Sequence, residues 1–300
     1  MNDEIWKYFV KVGLWPRQTR FDPRGWMSNF TGDELPLASR LLEGFTFFSN
    51  ELVAAMFRAA FKNISQVAIK SRSNYLAAVN DWENFVDSVI VVRVAGQVTS
   101  EADSGYIFTR LARDLLNIPE VRLLPPQAAL ETLRRNPRRN VVFVDDFVGS
   151  GEQFVEMWKR IHQISDCWTS FNALALASGA EGIGFYYIPL VCADKGRRHI
   201  AENCPQVKLL PSHALAPSYS ALAPDSVIWR EDMADAGPLF VEKISARAGV
   251  RDLDGAEGCW RGYHKLGLAL AFDHGVPDAT LPIFTVSRDD WKPLVKSAIA

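Results

Sequence analysis

The sequence predicts an α/β fold around a mostly parallel, twisted sheet. Three observations carry that prediction. First, three stretches are dense in β-branched and aromatic residues: Ser88 to Val94 (SVIVVRV), Val141 to Val144 (VVFV), and IGFYYIPLVCAD, which ends at Asp194. Continuous apolar runs of this length suit strands buried on both faces. Second, each run passes through a short loop into a helical pattern. Ile107, Leu111, Leu115 and Leu116 follow the first; Phe154, Met157, Trp158 and Ile161 follow the second; a helix over about Lys195 to Asn203 follows the third. Third, strand–helix units in succession favour a parallel sheet with right-handed crossovers.

The remaining elements are placed around that sheet. Asn2 to Val12 reads as a short amphipathic helix, with Ile5, Tyr8, Phe9 and Val12 on one side. Trp15 to Asn29 is aromatic and irregular, broken by Pro16, Pro23 and Gly25. Asp33 to Leu42 reads as a helix. A turn at Glu43-Gly44 leads into Phe45 to Phe48, and Ser49-Asn50-Glu51 caps a helix running to about Phe61. Val121 to Leu124 and Val207 to Pro211 read as short strands, and Ala128 to Arg135 as a helix. From Ser212 an Ala- and Pro-rich connection leads to a helix over Asp232 to Ala248, broken near Gly237-Pro238. The expected organisation is one structural domain: an N-terminal helical cover over 1–80, an α/β core over 81–215 and a C-terminal hood over 216–300.

Composition narrows the function. Hydrophobic residues make up 48% and charged residues 23%, as in an ordinary globular protein. A net charge of −2 argues against a broadly basic nucleic-acid surface. Cys167, Cys192, Cys204 and Cys259 are widely spaced and form no CxxC, so neither a disulfide framework nor a zinc site is expected. The opening MNDEIWKYFV does not read as a signal peptide, and no apolar stretch approaches membrane-spanning length. The expected setting is the reducing cytoplasm, with no membrane partner.

The chemistry concentrates in Val141 to Phe154, VVFVDDFVGSGEQF. The apolar run meets two carboxylates, Asp145 and Asp146, then Phe147-Val148, then Gly149-Ser150-Gly151-Glu152-Gln153 and a helix. Glycines allow positive φ and close approach of a ligand to the backbone. The first N–H groups of a helix lack intrahelical partners and favour an anion. Gly149 to Gln153 can therefore cradle a phosphate, with the Ser150 hydroxyl adding a donor. The carboxylates can accept hydrogen bonds from sugar hydroxyls or hold a divalent cation through water. Together these are the grips a ribose 5-phosphate needs. Lys195, Arg197 and Arg198, just past the end of the third strand, add cationic groups where α/β sheets bind ligands.

The stretch resembles the PRPP-binding signature of type I phosphoribosyltransferases. The resemblance implies a sheet of that kind, with Asp145 and Asp146 on the ribose hydroxyls and Phe147 to Gln153 around the 5-phosphate. It also implies an upstream pyrophosphate loop at Asp103, Ser104 and Gly105. The usual first Thr of the phosphate loop is Gly149 here, and a usually small residue is Glu152. Further on, Tyr263 to Lys296 carries His274, Pro277, Asp278, Thr280, Leu281 and Pro282 ahead of a Trp-x-Pro-Leu ending. This tail resembles that of phosphoribosyltransferase-like proteins of bacterial conflict systems, including retron-type antiphage loci. His274, on a proline-braced turn, is a secondary candidate that can titrate near neutral pH.

The resemblance implies binding of PRPP or a nucleoside 5-phosphate with Mg²⁺, the metal held on pyrophosphate rather than by direct protein ligands. It implies an effector in antiphage defence, in a complex with a reverse transcriptase and non-coding RNA or DNA. A transferase or a nucleotide hydrolase would use the carboxylates to stabilise positive charge on the sugar. Two alternatives stand beside it: a catalytically inactive nucleotide-sensing module of the same fold, and a purely complex-forming one.

Overall fold

The structure, a computed structural model, describes residues 3–16, 20–70, 74–94, 105–136, 139–178 and 183–296. The chain forms two compact units. One is continuous, Ala54–Ala214; the other joins Met1–Val53 to Leu215–Ala300.

The continuous unit is built on the expected sheet. Its strands are β1 (Ile90–Arg93), β2 (Leu123–Leu124), β3 (Val141–Val148), β4 (Phe185–Ala193) and β5 (Val207–Leu209). They lie in the order β2-β1-β3-β4-β5, and every neighbouring pair is parallel. Helices α1 (Gly105–Leu116), α2 (Pro126–Arg135), α3 (Glu152–Lys159) and α4 (Asp194–Asn203) follow β1, β2, β3 and β4 in turn. Between α3 and β4 the chain adds an antiparallel hairpin, His162–Ile164 with Cys167–Thr169, and a helix, Phe171–Ser178.

Both central strands are apolar because both of their faces are covered. β4 is buried at every position. Phe143, Phe154, Trp158, Phe171, Phe185 and Tyr187 interlock in one core. Phe154 stacks on Tyr187 with centroids 4.1 Å apart, and Phe171 meets Phe143 edge-on at 5.0 Å. The Trp158 indole, which needs a partner once buried, donates to Asn172 Oδ1 at 3.2 Å. Each such aromatic contributes about 1.5–3 kcal/mol by leaving water.

The short strands are trimmed, Val121 to Leu124 to its last two residues and Val207 to Pro211 to Val207–Leu209, whereas the central strand is longer than expected. The apolar run predicts β3 over Val141 to Val144, but β3 continues to Val148. The reason is its partner: pairing with β4 runs from Val141 opposite Phe185 to Val148 opposite Cys192. Asp145 and Asp146 therefore lie inside a paired strand and not in a turn.

The second unit is knitted from both ends of its sequence. Thr46–Phe48 pairs in parallel with Leu270–Phe272, and Phe21 bridges Val295. Trp26 and Trp291 both donate their indole N–H to the Ile283 carbonyl, at 3.1 and 3.0 Å. The stretch expected to be irregular holds a short helix, Pro23–Met27, whose Asp22 cap accepts the Gly25 N–H at 2.8 Å. Gly237-Pro238 does not break the later helix. It lies in the first turn of Ala236–Arg247, where proline is tolerated because its missing N–H has no partner to lose. Among the described residues no helix is long and apolar enough to cross a membrane.

Candidate functional site

The second half of β3 carries the acidic pair, and the two carboxyl groups differ sharply. Asp145 is 7% exposed, whereas Asp146 is half-buried. The Asp145 Oδ2 accepts the phenolic hydrogen of Tyr187 at 2.9 Å. Its Oδ1 accepts the Asp146 backbone N–H at 3.0 Å, and Asp146 Oδ1 in turn accepts the Phe147 N–H at 2.8 Å. Tyr187 reaches Asp145 because Phe143 and Tyr187 are register partners on neighbouring parallel strands. A residue two places beyond Phe143 lies on the same face of the sheet.

Burial is the main cause pushing the Asp145 acid well above the ordinary carboxylate range. The negative charge of Asp146 beside it adds to the rise, and the Tyr187 hydrogen bond opposes it. The same burial, with Asp145 next to it, drives the Tyr187 phenol well above its ordinary value. Two carboxyl groups this close favour holding one proton between them. Carboxylates near a strand's carboxyl end are ordinarily exposed, and Asp145 departs from that. The strand extends past it, and Tyr187 supplies the partner that makes its burial tolerable.

Beyond Phe147 and Val148 comes the loop. Gly151 adopts φ +80°, a left-handed conformation that favours glycine, and caps α3 at Glu152. A Cβ on Gly151 would lie 2.9 Å from the Gly196 carbonyl oxygen. One on Gly196 would lie 2.6 Å from Val148 Cγ1 and 2.7 Å from the Gly149 oxygen. These two glycines let the loop and α4 touch backbone to backbone. Gly149 and Ser150 remain half-buried, and Glu152 and Gln153 are exposed. The Ser150 hydroxyl accepts the Glu152 N–H at 3.3 Å.

α4 brings the other cationic candidates to the same carboxyl edge of the sheet, since Val148 and Cys192 are register partners. Arg197 and Arg198 both pair with Asp194, the Arg197 contact being 2.5 Å. Hydrogen bonding to Arg197, then to Arg198, holds the Asp194 acid below its ordinary value despite some burial. Lys195, next after Asp194, lies in the first turn. Arg93, 8% exposed, ends β1 opposite Val144, one register position before the pair. Gly105 begins α1, while Asp103 and Ser104 lie outside the described residues. His274 belongs to the other unit, where its ring stacks on Phe272 at 5.2 Å.

Tyr187 is the site residue that sequence reasoning missed. It sits in FYYIPLV, where nothing marks which tyrosine faces the acid. Only the β3–β4 register does.

A five-stranded parallel path, with an acid pair and a small-residue loop at its carboxyl edge, defines a phosphoribosyltransferase-type fold. The chain belongs to the PRTase-CE family, the phosphoribosyltransferases of conflict systems, whose family model matches residues 23–296. Comparison with curated proteins finds no match.

Proposed function

We propose that the protein binds PRPP or a nucleoside 5-phosphate at the carboxyl edge of its sheet and acts as an effector in bacterial antiphage defence. The observation that carries this is the paired carboxyl groups of Asp145 and Asp146, two residues before the Gly149–Gln153 turn into α3. Asp146, half-buried, accepts the ribose hydroxyls. Asp145 stays in the core and fixes the pair through Tyr187. Ser150 and the first N–H groups of α3 take the 5-phosphate. Positive charge that builds on the sugar ring during transfer or hydrolysis at the anomeric carbon falls beside Asp146.

No group of three or more His, Cys, Asp or Glu side chains suited to a metal ion occurs among the described residues. Asp145 does not fit the role of a ligand, because its oxygens are already engaged and its neutral form is favoured. In this reading Mg²⁺ belongs to the substrate, where it would neutralise pyrophosphate. A complex with a reverse transcriptase and its non-coding RNA or DNA belongs to the same proposal.

One observation favours the second reading, a nucleotide-sensing module without turnover. The buried Asp145 leaves a single accessible carboxyl group, beside an exposed Glu152. Calorimetry with Mg-PRPP and with AMP tests binding. Nucleotide pools in cells expressing the parent or Asp146→Asn test turnover. Heat with either ligand, and pools altered by the parent alone, is the expected result. Binding with unchanged pools would favour the sensing module, and no heat at millimolar ligand would refute both.

A further inference from the structure

The unit formed by Met1–Val53 and Leu215–Ala300 holds a cavity of about 360 Å³, lined by Arg20, Phe47, Phe272, His274, Val276 and Lys296 among others. The His274 turn and the chain following the Trp291-x-Pro293-Leu294 ending converge on it, and the phosphate-loop chemistry uses neither. We propose that this cavity is a second ligand site, for a flat aromatic molecule carrying one anionic group.

The walls supply the preference for a ring. Phe272, the register partner of Phe48, is packed between the Phe48 ring at 4.9 Å and the His274 ring at 5.2 Å, so the half-buried His274 is the ring a ligand can meet. The Asp273-His274 turn is closed by mutual backbone hydrogen bonds between Phe272 and Gly275, at 2.8 and 3.2 Å. That closure fixes the His274 ring against Phe272, at 26° between planes. Val276 and Val295 add aliphatic surface to a lining that is otherwise largely polar. A flat ligand ring gains area and stacking energy against His274. The volume sits at the small end for ligand sites, which suits one ring system up to a mononucleotide.

The charges supply the preference for an anion. Arg20 and Lys296 line the cavity, and their side chains are 44% and 43% exposed. A hydrogen bond from the Lys296 backbone N–H to the Arg20 carbonyl, 2.9 Å, holds the two residues together. One carboxylate, Asp273, also lines the cavity, but it is engaged by the Asn50 amide and by Arg20 at 3.5 Å. Lys296 pairs with Asp22 at 3.1 Å. Exposed ion pairs of this kind are worth little, so a ligand anion can redirect either cation at small cost. Arg20 and Lys296 against Asp273 leave the lining with a net positive charge.

Hydrogen exchange of the full chain, read by mass spectrometry, tests the site with two probes, AMP and indole-3-acetate. Slower exchange over 270–276 and 284–296 with either probe is expected, and the probe that acts identifies the anion as phosphate or carboxylate. No protection there with either probe overturns the proposal. Protection by AMP at 146–153 reports the phosphate loop separately, so failure at one site is distinguishable from failure at the other. Arg20→Gln with Lys296→Gln alters two half-exposed side chains. It should weaken binding here roughly tenfold or more, since each charge-assisted hydrogen bond is worth about that factor. Unchanged protection at equal probe concentration in this variant also overturns the proposal.

Discussion

Asp145 and Tyr187 form a buried acid–phenol pair that can be probed from either side. Tyr187→Phe keeps the ring stacked on Phe154 and removes only the hydroxyl. Equilibrium urea unfolding should show a loss of about 1–3 kcal/mol, the cost of a buried hydrogen bond to an ionisable group. Asp145 itself sets a pH dependence. Its acid is raised in the folded protein, so folding binds a proton that the unfolded chain releases. Its contribution is fully present below the unfolded carboxylate range and is lost as pH rises through the folded value. Asp145→Asn should therefore flatten the fall of melting temperature with rising pH and raise it most at neutral to alkaline pH. A variant whose melting curve tracks the parent across pH 4 to 8 would contradict this assignment. Asp146→Asn, by contrast, should abolish binding of Mg-PRPP in calorimetry while leaving the melting temperature within a degree or two of the parent.

The turn from β3 into α3 separates a packing role from a binding one. Gly151→Ala imposes a left-handed conformation costing about 1–2 kcal/mol and also presses on the Gly196 carbonyl. Gly196→Ala presses on Val148 and the Gly149 oxygen from the other side. Both should lower the melting temperature, so a glycine variant that loses ligand says little about the phosphate. Ser150→Ala is the clean test. It should cost about tenfold in affinity for PRPP or AMP, one hydrogen bond being worth about 1 kcal/mol, and lower the unfolding midpoint less than either glycine variant, because the only native bond it removes is the exposed 3.3 Å one to the Glu152 N–H.

The strand–helix succession was legible because buried parallel strands write themselves as unbroken apolar runs, as in SVIVVRV and FYYIPLVCA. The far half of β3 was not, since carboxylates interrupt such a run and only pairing with β4 shows that the strand continues. The hairpin over His162–Thr169 is polar and short, and left no comparable signal. The acid pair and its loop were legible as residues. The division of labour between Asp145 and Asp146 was not, because it depends on Tyr187, far away in sequence.

Across the chain, burial also sorts the thiols. Cys192 and Cys204 are pushed up to about 12 by burial, and Cys259 is buried as well. Cys167 alone is half-buried. A thiol reagent at neutral pH should modify one cysteine of the native protein quickly, Cys167, and all four after denaturation; peptide mapping that finds Cys192 labelled first would overturn this ordering. The pairing of Thr46–Phe48 with Leu270–Phe272, and of Phe21 with Val295, bears on how the chain is born. On the ribosome the first segment emerges long before the partners that complete its sheet and its aromatic core. It must wait, exposed, while the continuous Ala54–Ala214 stretch is made and begins to fold. A nascent chain halted before Leu268 would carry its early tryptophans and phenylalanines unsheltered, a natural target for chaperones until the last residues are translated.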